Sequence, residues 1–275
     1  MRPAEVARRG GDYLARHGVD GARGEAETLL MRILDIDRPA LFTRERGLDT
    51  AEAKAFGRAL CRRCTGVPLQ HLTNEQAFRR LAIEVRPGVF VPRPETETVV
   101  GVALDMSGDA PVVADLCTGS GAIALAIAHE RPDARVFATD LAAEAVALAG
   151  ANASRLGLSV TVGQGDLFDP LPAELRGALD LVVANPPYLP ASEALDLPVD
   201  VRADPPSALF GDVALYERLF GGALEWLRAD GAIVVEIDAR EGSAITGAAR
   251  AAGFVQVRVV EDLTGRDRVV AGRRP

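Results

Sequence analysis

Cysteine is scarce in this chain, and the scarcity removes two classes of architecture. Three cysteines cannot build a paired disulfide framework, and Cys61 and Cys64 are the only close pair. A zinc site would need two further ligands, yet Cys117 and the scattered His17, His71 and His129 supply no second pair at ligand spacing. No metal is therefore expected, and Cys61 and Cys64 read as reduced thiols on a helix. Long apolar runs are missing too. No stretch approaches the ~18–20 uninterrupted apolar residues of a membrane span. The amino terminus has no apolar signal core behind its charges, so a cytoplasmic location is expected. No internal repeat or low-complexity tract stands out. The dinucleotide fingerprint G-x-G-x-x-G is incomplete, because Ala124 stands where its third glycine would be.

What is present is globular material in two charge regimes. The 275 residues are 48% apolar and 25% charged, enough for one large domain or two modest ones, each with its own core. Residues 1–90 carry a net charge of +4 and residues 91–275 a net charge of −12. A basic front and an acidic back point to two units with different surfaces. Genome composition, visible as an excess of arginine and alanine, would produce the same asymmetry. The acidic second part argues against a large nucleic acid as partner, since phosphates favour basic grooves.

Helical spacing of apolar residues over 3–17 and 22–36, and a third helix over 51–64 behind Thr50 as N-cap, predict a small helical bundle. Phe78 and the alternating Leu81, Ile83 and Val85 predict a hairpin ending at Pro87-Gly88. From residue 111 short apolar strands alternate with helices. Strands are expected over 112–116, 136–139, 160–163, 179–184 and 233–237, and helices over 122–130, 142–156, 213–228 and 241–252. A closing antiparallel pair is expected over 254–260 and 268–271. That order predicts an α/β fold with a Rossmann-like, mostly parallel, doubly wound sheet and ligands at the strand carboxyl ends. The expected division is a helical domain over 1–72, a hairpin linker over 73–90 and a catalytic domain over 91–275. Residues 189–211 form a long connection rich in Pro, Asp and Ala, a length often tied to function.

The most informative four residues are Asn185-Pro186-Pro187-Tyr188, directly after an apolar strand. Proline lacks an N–H and fixes φ, and each residue before a proline is pushed to extended geometry. The Asn185 carboxamide oxygen and the Pro186 carbonyl are then held rigidly and left free to accept hydrogen bonds, with Tyr188 offering a flat face beside them. Such a loop can receive a planar N–H donor: an amide, an amidine or an exocyclic base amine. A plain Pro-Pro turn leaving a strand has the same local appearance.

Upstream, Asp115-Leu116-Cys117-Thr118-Gly119-Ser120-Gly121 closes the first strand and opens a helix. Gly119 and Gly121 let backbone N–H groups approach a ligand. Asp140, about twenty residues on, suits ribose hydroxyls, although it could equally cap the next helix. Asp166 can accept from an adenine amine, with Phe168 lying against the ring. A nucleotide oxidoreductase remains open on these residues alone.

Three acidic strand ends followed by Asn-Pro-Pro-Tyr on the fourth strand resemble the class I S-adenosylmethionine-dependent methyltransferases. Three further segments narrow the resemblance: Val91-Pro92-Arg93-Pro94-Glu95-Thr96-Glu97, the run from Asp115 to Ala126, and the tail from Asp262 to Val269. Together they are similar to the HemK/PrmC-type release-factor glutamine methyltransferases over nearly the whole chain. The resemblance implies that Cys117 to Gly121, Asp140, Phe168 and Asn185 contact S-adenosylmethionine. It also implies that Asn185, Pro186, Pro187 and Tyr188 hold an acceptor glutamine of a peptide-chain release factor, and that the helical domain helps dock that partner. Asn185, Pro186 and Tyr188 are then the expected catalytic residues.

Several positions depart from that pattern: His71 and Asn74, Asp204-Pro205 after the loop, and Asp238 and Glu241 near the sixth strand. They leave a rim of carboxylates, Asp196, Asp200, Asp204, Glu236, Asp238 and Glu241, with Glu236 and Asp238 as candidate substrate contacts. A planar, cationic guanidinium would gain more from such a rim than an amide. A small guanidine such as free arginine is therefore the alternative acceptor, and a solvated acidic surface is the other reading of the same residues.

Overall fold

The computed structural model describes residues 1–198 and 201–275, which fall into two compact units. The first comprises Met1–Glu75 with the described residues of Pro198–Ala203, and the second comprises Gln76–Leu197 with Asp204–Pro275. Among the described residues no helix is long and apolar enough to cross a membrane.

The first unit is built from α1 (Pro3–Arg16), α2 (Ala22–Leu34), α3 (Arg38–Thr43), α4 (Thr50–Cys64) and α5 (Leu69–Thr73). Leu14, Leu29, Leu30, Leu41, Phe56 and Leu60 meet in one core. Gly10 lets α1 approach α4 closely, because a Cβ there would lie 2.6 Å from the Phe56 ring. The N-cap of α4 is Asp49, one residue before the expected Thr50. Its carboxylate accepts from Ala51 N and Glu52 N at 2.8 Å, and Glu52 answers by accepting from Asp49 N at 2.7 Å. Glu three residues after the cap completes a reciprocal box that Thr50 could not form.

The second unit carries the predicted doubly wound sheet. β1 (Glu75–Phe78) and β2 (Leu81–Glu84) form the hairpin, and its Phe78 and Ile83 lie fully buried in this unit's core. The main sheet contains β3 (Val112–Leu116), β4 (Arg135–Asp140), β5 (Val160–Gln164), β6 (Leu179–Ala184), β7 (Leu227–Glu236), β8 (Val255–Glu261) and β9 (Asp267–Arg273). Their order is β5-β4-β3-β6-β7-β9-β8, with β9 antiparallel to both β7 and β8 and the other pairings parallel. The helices are α6 (Glu97–Met106), α7 (Ala122–Glu130), α8 (Ala143–Leu156), the short α9 (Pro206–Leu209), α10 (Val213–Trp226) and α11 (Gly242–Ala252).

Alternate strand residues serve opposite faces. Val113, Leu181, Val183 and Val234 pack with α6 and α7, while Leu116, Val182, Ala184 and Val235 pack with α10 and α11. Strands covered on both sides read as unbroken apolar runs, as Leu181 to Ala184 of β6 do. Each fully buried Val or Leu stabilises by about 1.5–3 kcal/mol relative to exposure, against roughly 1 kcal/mol net for a ladder hydrogen bond. Burial therefore holds the register. From β3 the chain winds outward through β4 and β5, then returns with β6 on the other side of β3. That reversal opens a crevice at the carboxyl ends of β3 and β6, where doubly wound sheets hold ligands.

Candidate active site

The register places both sequence motifs at that crevice. Leu116 of β3 pairs with Ala184 of β6 and with Thr139 of β4, so Cys117, Asp140 and Asn185 leave the same sheet edge at nearly one level. The β3–α7 loop is wound through three left-handed residues, Cys117 (φ 59°), Gly119 (φ 57°) and Gly121 (φ 85°). At Gly121 a Cβ would lie 3.1 Å from both Ala149 and Leu125, so glycine is needed there for conformation and for space.

Asp115 is fully buried beneath the loop. Its Oδ2 accepts from Thr118 Oγ1 at 2.5 Å and Ala124 N at 3.1 Å, while Oδ1 has no partner. Burial pushes its carboxyl up to about 7. Asn152 of α8 braces the loop from behind, donating to Ser120 O and Glu84 O at 3.0 Å and accepting from Glu84 N at 2.9 Å. Nothing in the local sequence marks Asn152, because its partners lie in distant segments.

Asp140 accepts from Gly119 N at 2.8 Å through Oδ2 and from Ala142 N at 2.9 Å through Oδ1. It thus shapes the glycine loop and starts α8 together, and retains lone pairs on both oxygens. The Cys117 thiol is driven far above its ordinary range, first by burial and then by Asp140, Asp115 and Asp166. A negative field fills this corner. Asp166 is ion-paired with Arg218.

Phe168 lies 7% exposed, stacked on Trp226 with centroids 5.9 Å apart and planes 14° from parallel. It packs so tightly on Gly222 that a Cβ there would come within 2.5 Å.

The Asn-Pro-Pro-Tyr loop is held at both ends. Asn185 donates from Nδ2 to Thr96 Oγ1 at 3.3 Å, and Tyr188 donates its hydroxyl to Glu236 Oε1 at 3.3 Å. Pro186 is buried and Pro187 half-buried. Gly211 closes behind Pro187 so nearly that a Cβ would fall 1.9 Å from the Pro187 carbonyl oxygen. Leu189 pairs with this strand-like return, accepting from Gly211 N at 3.1 Å and donating to Leu209 O at 2.8 Å. Glu236 ends β7 at 1% exposure. Tyr216 donates to its backbone carbonyl at 2.7 Å, and Oε2 has no hydrogen-bond partner. Burial raises its carboxyl to about 7, while the Thr96 hydroxyl, Arg268 and Tyr188 favour the charged form. Tyr188 is raised above the ordinary phenol range by burial and by Glu236.

Among the described residues, the acidic rim does not form a guanidinium receptor. Asp204 is buried, accepts from Val91 N at 3.1 Å and is ion-paired with Arg93. Asp238 accepts from Arg240 at 2.6–2.9 Å, and Arg240 also grips Glu193 at 2.6 and 3.0 Å. Asp196 and Glu241 are exposed, and Asp200 lies outside the described residues. The chain's own arginines already occupy Asp204 and Asp238, so the alternative of a small guanidine acceptor is withdrawn. Beside Tyr188 a cleft of about 300 Å³ opens between Pro190, Glu193, Asp212, Tyr216, Arg240 and Ile245.

Residues 5–73 match a family profile described as the PrmC N-terminal domain, and residues 95–198 match the methyltransferase small domain. The fold is shared with a methyltransferase from Pyrococcus furiosus, at a TM-score of 0.54 and 18% identity over 72% of this chain and 91% of that one. Sheet order, glycine loop and strand ends thus define a class I methyltransferase fold. Among curated relatives, the release factor glutamine methyltransferase of Moorella thermoacetica is 43% identical over 265 residues, 93% of this chain and 92% of its own. That of Xylella fastidiosa is 42% identical over 260 residues, 92% of this chain and 94% of its own. The chain belongs to the release factor glutamine methyltransferase family.

Proposed function

We propose that this chain methylates the side-chain amide nitrogen of a glutamine in a peptide-chain release factor, with S-adenosylmethionine as methyl donor. The observation that carries the reading is the pairing of Leu116 with Ala184, which brings the glycine loop and the Asn-Pro-Pro-Tyr loop to one crevice. The residues present suit the donor. Asp115 Oδ1 and Ser120 Oγ are buried without partners, and the carboxylates around Cys117 make a field that favours a cation. Asp115, the loop from Cys117 through Thr118, Gly119 and Ser120 to Gly121, Asp140 and Asn185 would hold it, and Asp166 would reach a base amine by sharing its carboxylate with Arg218. When bound, the sulfonium supplies an activated methyl group.

The protein's part is positioning and charge. An amide nitrogen is a poor nucleophile because its lone pair is conjugated. Asn185 Oδ1 and the Pro186 carbonyl accept the two amide N–H bonds, strengthening as positive charge grows on nitrogen. Tyr188 and the prolines keep the amide plane fixed, so attack is in line at little entropic cost. The helical unit assists docking of the release factor. A cytoplasmic location is part of this reading. Labelled S-adenosylmethionine offered with a release factor, free arginine and RNA in parallel tests the reading. Label should enter the release factor alone and disappear when the acceptor glutamine is replaced; a wild-type enzyme that leaves the release factor unlabelled would sink it.

A further inference from the structure

The glycine loop between β3 and α7 spends most of its own backbone donors. Thr118 N donates to Thr139 O at 3.0 Å, Gly119 N to Asp140 Oδ2 at 2.8 Å and Gly121 N to Thr118 O at 2.9 Å. Of the N–H groups from Thr118 to Gly121, only that of Ser120 has no partner among the described residues. A loop of this kind serves a ligand through its free N–H groups. Where Ser120 stands therefore decides what the loop can offer.

Ser120 is held from behind by Asn152 of α8, a fully buried side chain whose hydrogen-bonding capacity is completely used. Its Oδ1 accepts from Glu84 N at 2.9 Å and from Arg155 Nη2 at 3.1 Å, and its Nδ2 donates to Glu84 O and Ser120 O, both at 3.0 Å. A carboxamide offers two lone pairs and two protons, and each has a partner here. Only one orientation satisfies them. Rotated by half a turn, the NH₂ would face the Glu84 N–H and the Arg155 guanidinium, and the oxygen would face two carbonyls.

Glu84 ends β2, so the same side chain joins the cofactor loop to the hairpin. β2 pairs with β1 alone, and Asn152 meets both the N–H and the C=O of Glu84, as a neighbouring strand would. Arg155, one turn further along α8, also donates to Ala82 O. Val89, just past the hairpin, is buried against Ala145 and Leu148 of the same helix. Turning the Asn152 carboxamide away from Glu84 releases Ser120 with it.

We propose that Asn152 is a positioning residue for S-adenosylmethionine binding: it fixes the loop residue with the free N–H, and it links occupancy of that loop to closure of β2 on α8. This inference rests on the proposed seat of S-adenosylmethionine at the glycine loop. Where the released loop does not bind the ligand, saturation suppresses release by a factor of 1 + [L]/Kd, about a hundredfold at ~100 Kd.

The test uses the full-length protein and two measurements that need no turnover. In wild type, hydrogen exchange at the Glu84 amide should slow by about tenfold or more with S-adenosylmethionine at ~100 Kd. Amides of β8, at the far edge of the sheet, should change much less. In calorimetric titration Asn152→Asp should bind S-adenosylmethionine about tenfold or more weakly, the scale of one mismatched buried hydrogen bond. The carboxylate keeps the size of the side chain but brings no proton to the Ser120 and Glu84 carbonyls. In steady state the loss should appear in KM for S-adenosylmethionine, with KM for the release factor unchanged. If Asn152→Asp does not fold, exchange in wild type still decides. Unchanged exchange at Glu84, equal slowing in β8, or an Asn152→Asp affinity within about twofold of wild type would each overturn the inference. Failure of the underlying seat is separate: Asp140→Ala would then bind S-adenosylmethionine as wild type does.

Discussion

Asn185 leaves β6 at the crevice and Asp115 lies buried beneath the glycine loop of β3, and each makes a distinct demand on experiment. Replacing Asn185 with Ala removes one preorganised acceptor, so kcat should fall by ~100-fold or more with little change in melting temperature. Single-turnover kinetics would read the loss, and an unimpaired variant would refute the role given to Asn185. Asp115 speaks through pH. Its folded carboxyl is raised to about 7 from an ordinary 3.8, so between those values the folded chain holds a proton that the unfolded chain has released. Stability of the ligand-free protein therefore declines as pH rises across that window. Asp115→Asn should flatten that decline in thermal melts recorded from pH 4 to 7, a window set by the raised carboxyl. Glu236, also raised to about 7, contributes a parallel slope that remains in the variant.

Among the elements, the clasp formed by Leu189 and Leu209–Gly211 decides where the loop stands. A methyl group at Gly211 would meet the Pro187 carbonyl oxygen at 1.9 Å, a distance no side chain tolerates, so the loop must move. Gly211→Ala should lower kcat by about a hundredfold, as a displacement near 1 Å does, while binding of S-adenosylmethionine changes less. Calorimetric titration beside turnover would separate the two, and equal kcat would show that the clasp is dispensable. The core strands β3 and β6 were legible to the residue, because a short apolar run bounded by turn chemistry allows little choice. Helix α6 was not foreseen: Thr98, Val99, Val100 and Val102 favour strands by propensity, and burial of Val99, Val100 and Val102 against the sheet overrides it. Strand β7 begins at Leu227, directly after α10, well before the expected residue 233.

For the whole molecule, the charge asymmetry seen in sequence has a surface counterpart in the helical unit. Lys54, Arg58 and Arg62 are exposed and four residues apart on α4, hence on one face. If that face meets the release factor, replacing all three with Glu should raise KM for the release factor about tenfold, with KM for S-adenosylmethionine unchanged. Steady-state kinetics at two salt concentrations would test it, and an unaltered KM would remove α4 from the docking surface. Sequence by itself determined the doubly wound sheet, the helical front, the glycine loop and the Asn-Pro-Pro-Tyr exit, because periodicity and turn chemistry act over a few residues. Tertiary structure alone decided which charges remain available. Asp204 meets Arg93 across 111 residues, Asn185 meets Thr96 across 89, and Tyr188 meets Glu236 across 48. No local pattern encodes such meetings. Asp204 and Asp238 went to the chain's own arginines because burial leaves charges with the partners that folding brings to them, whatever ligand their sequence neighbours suggest.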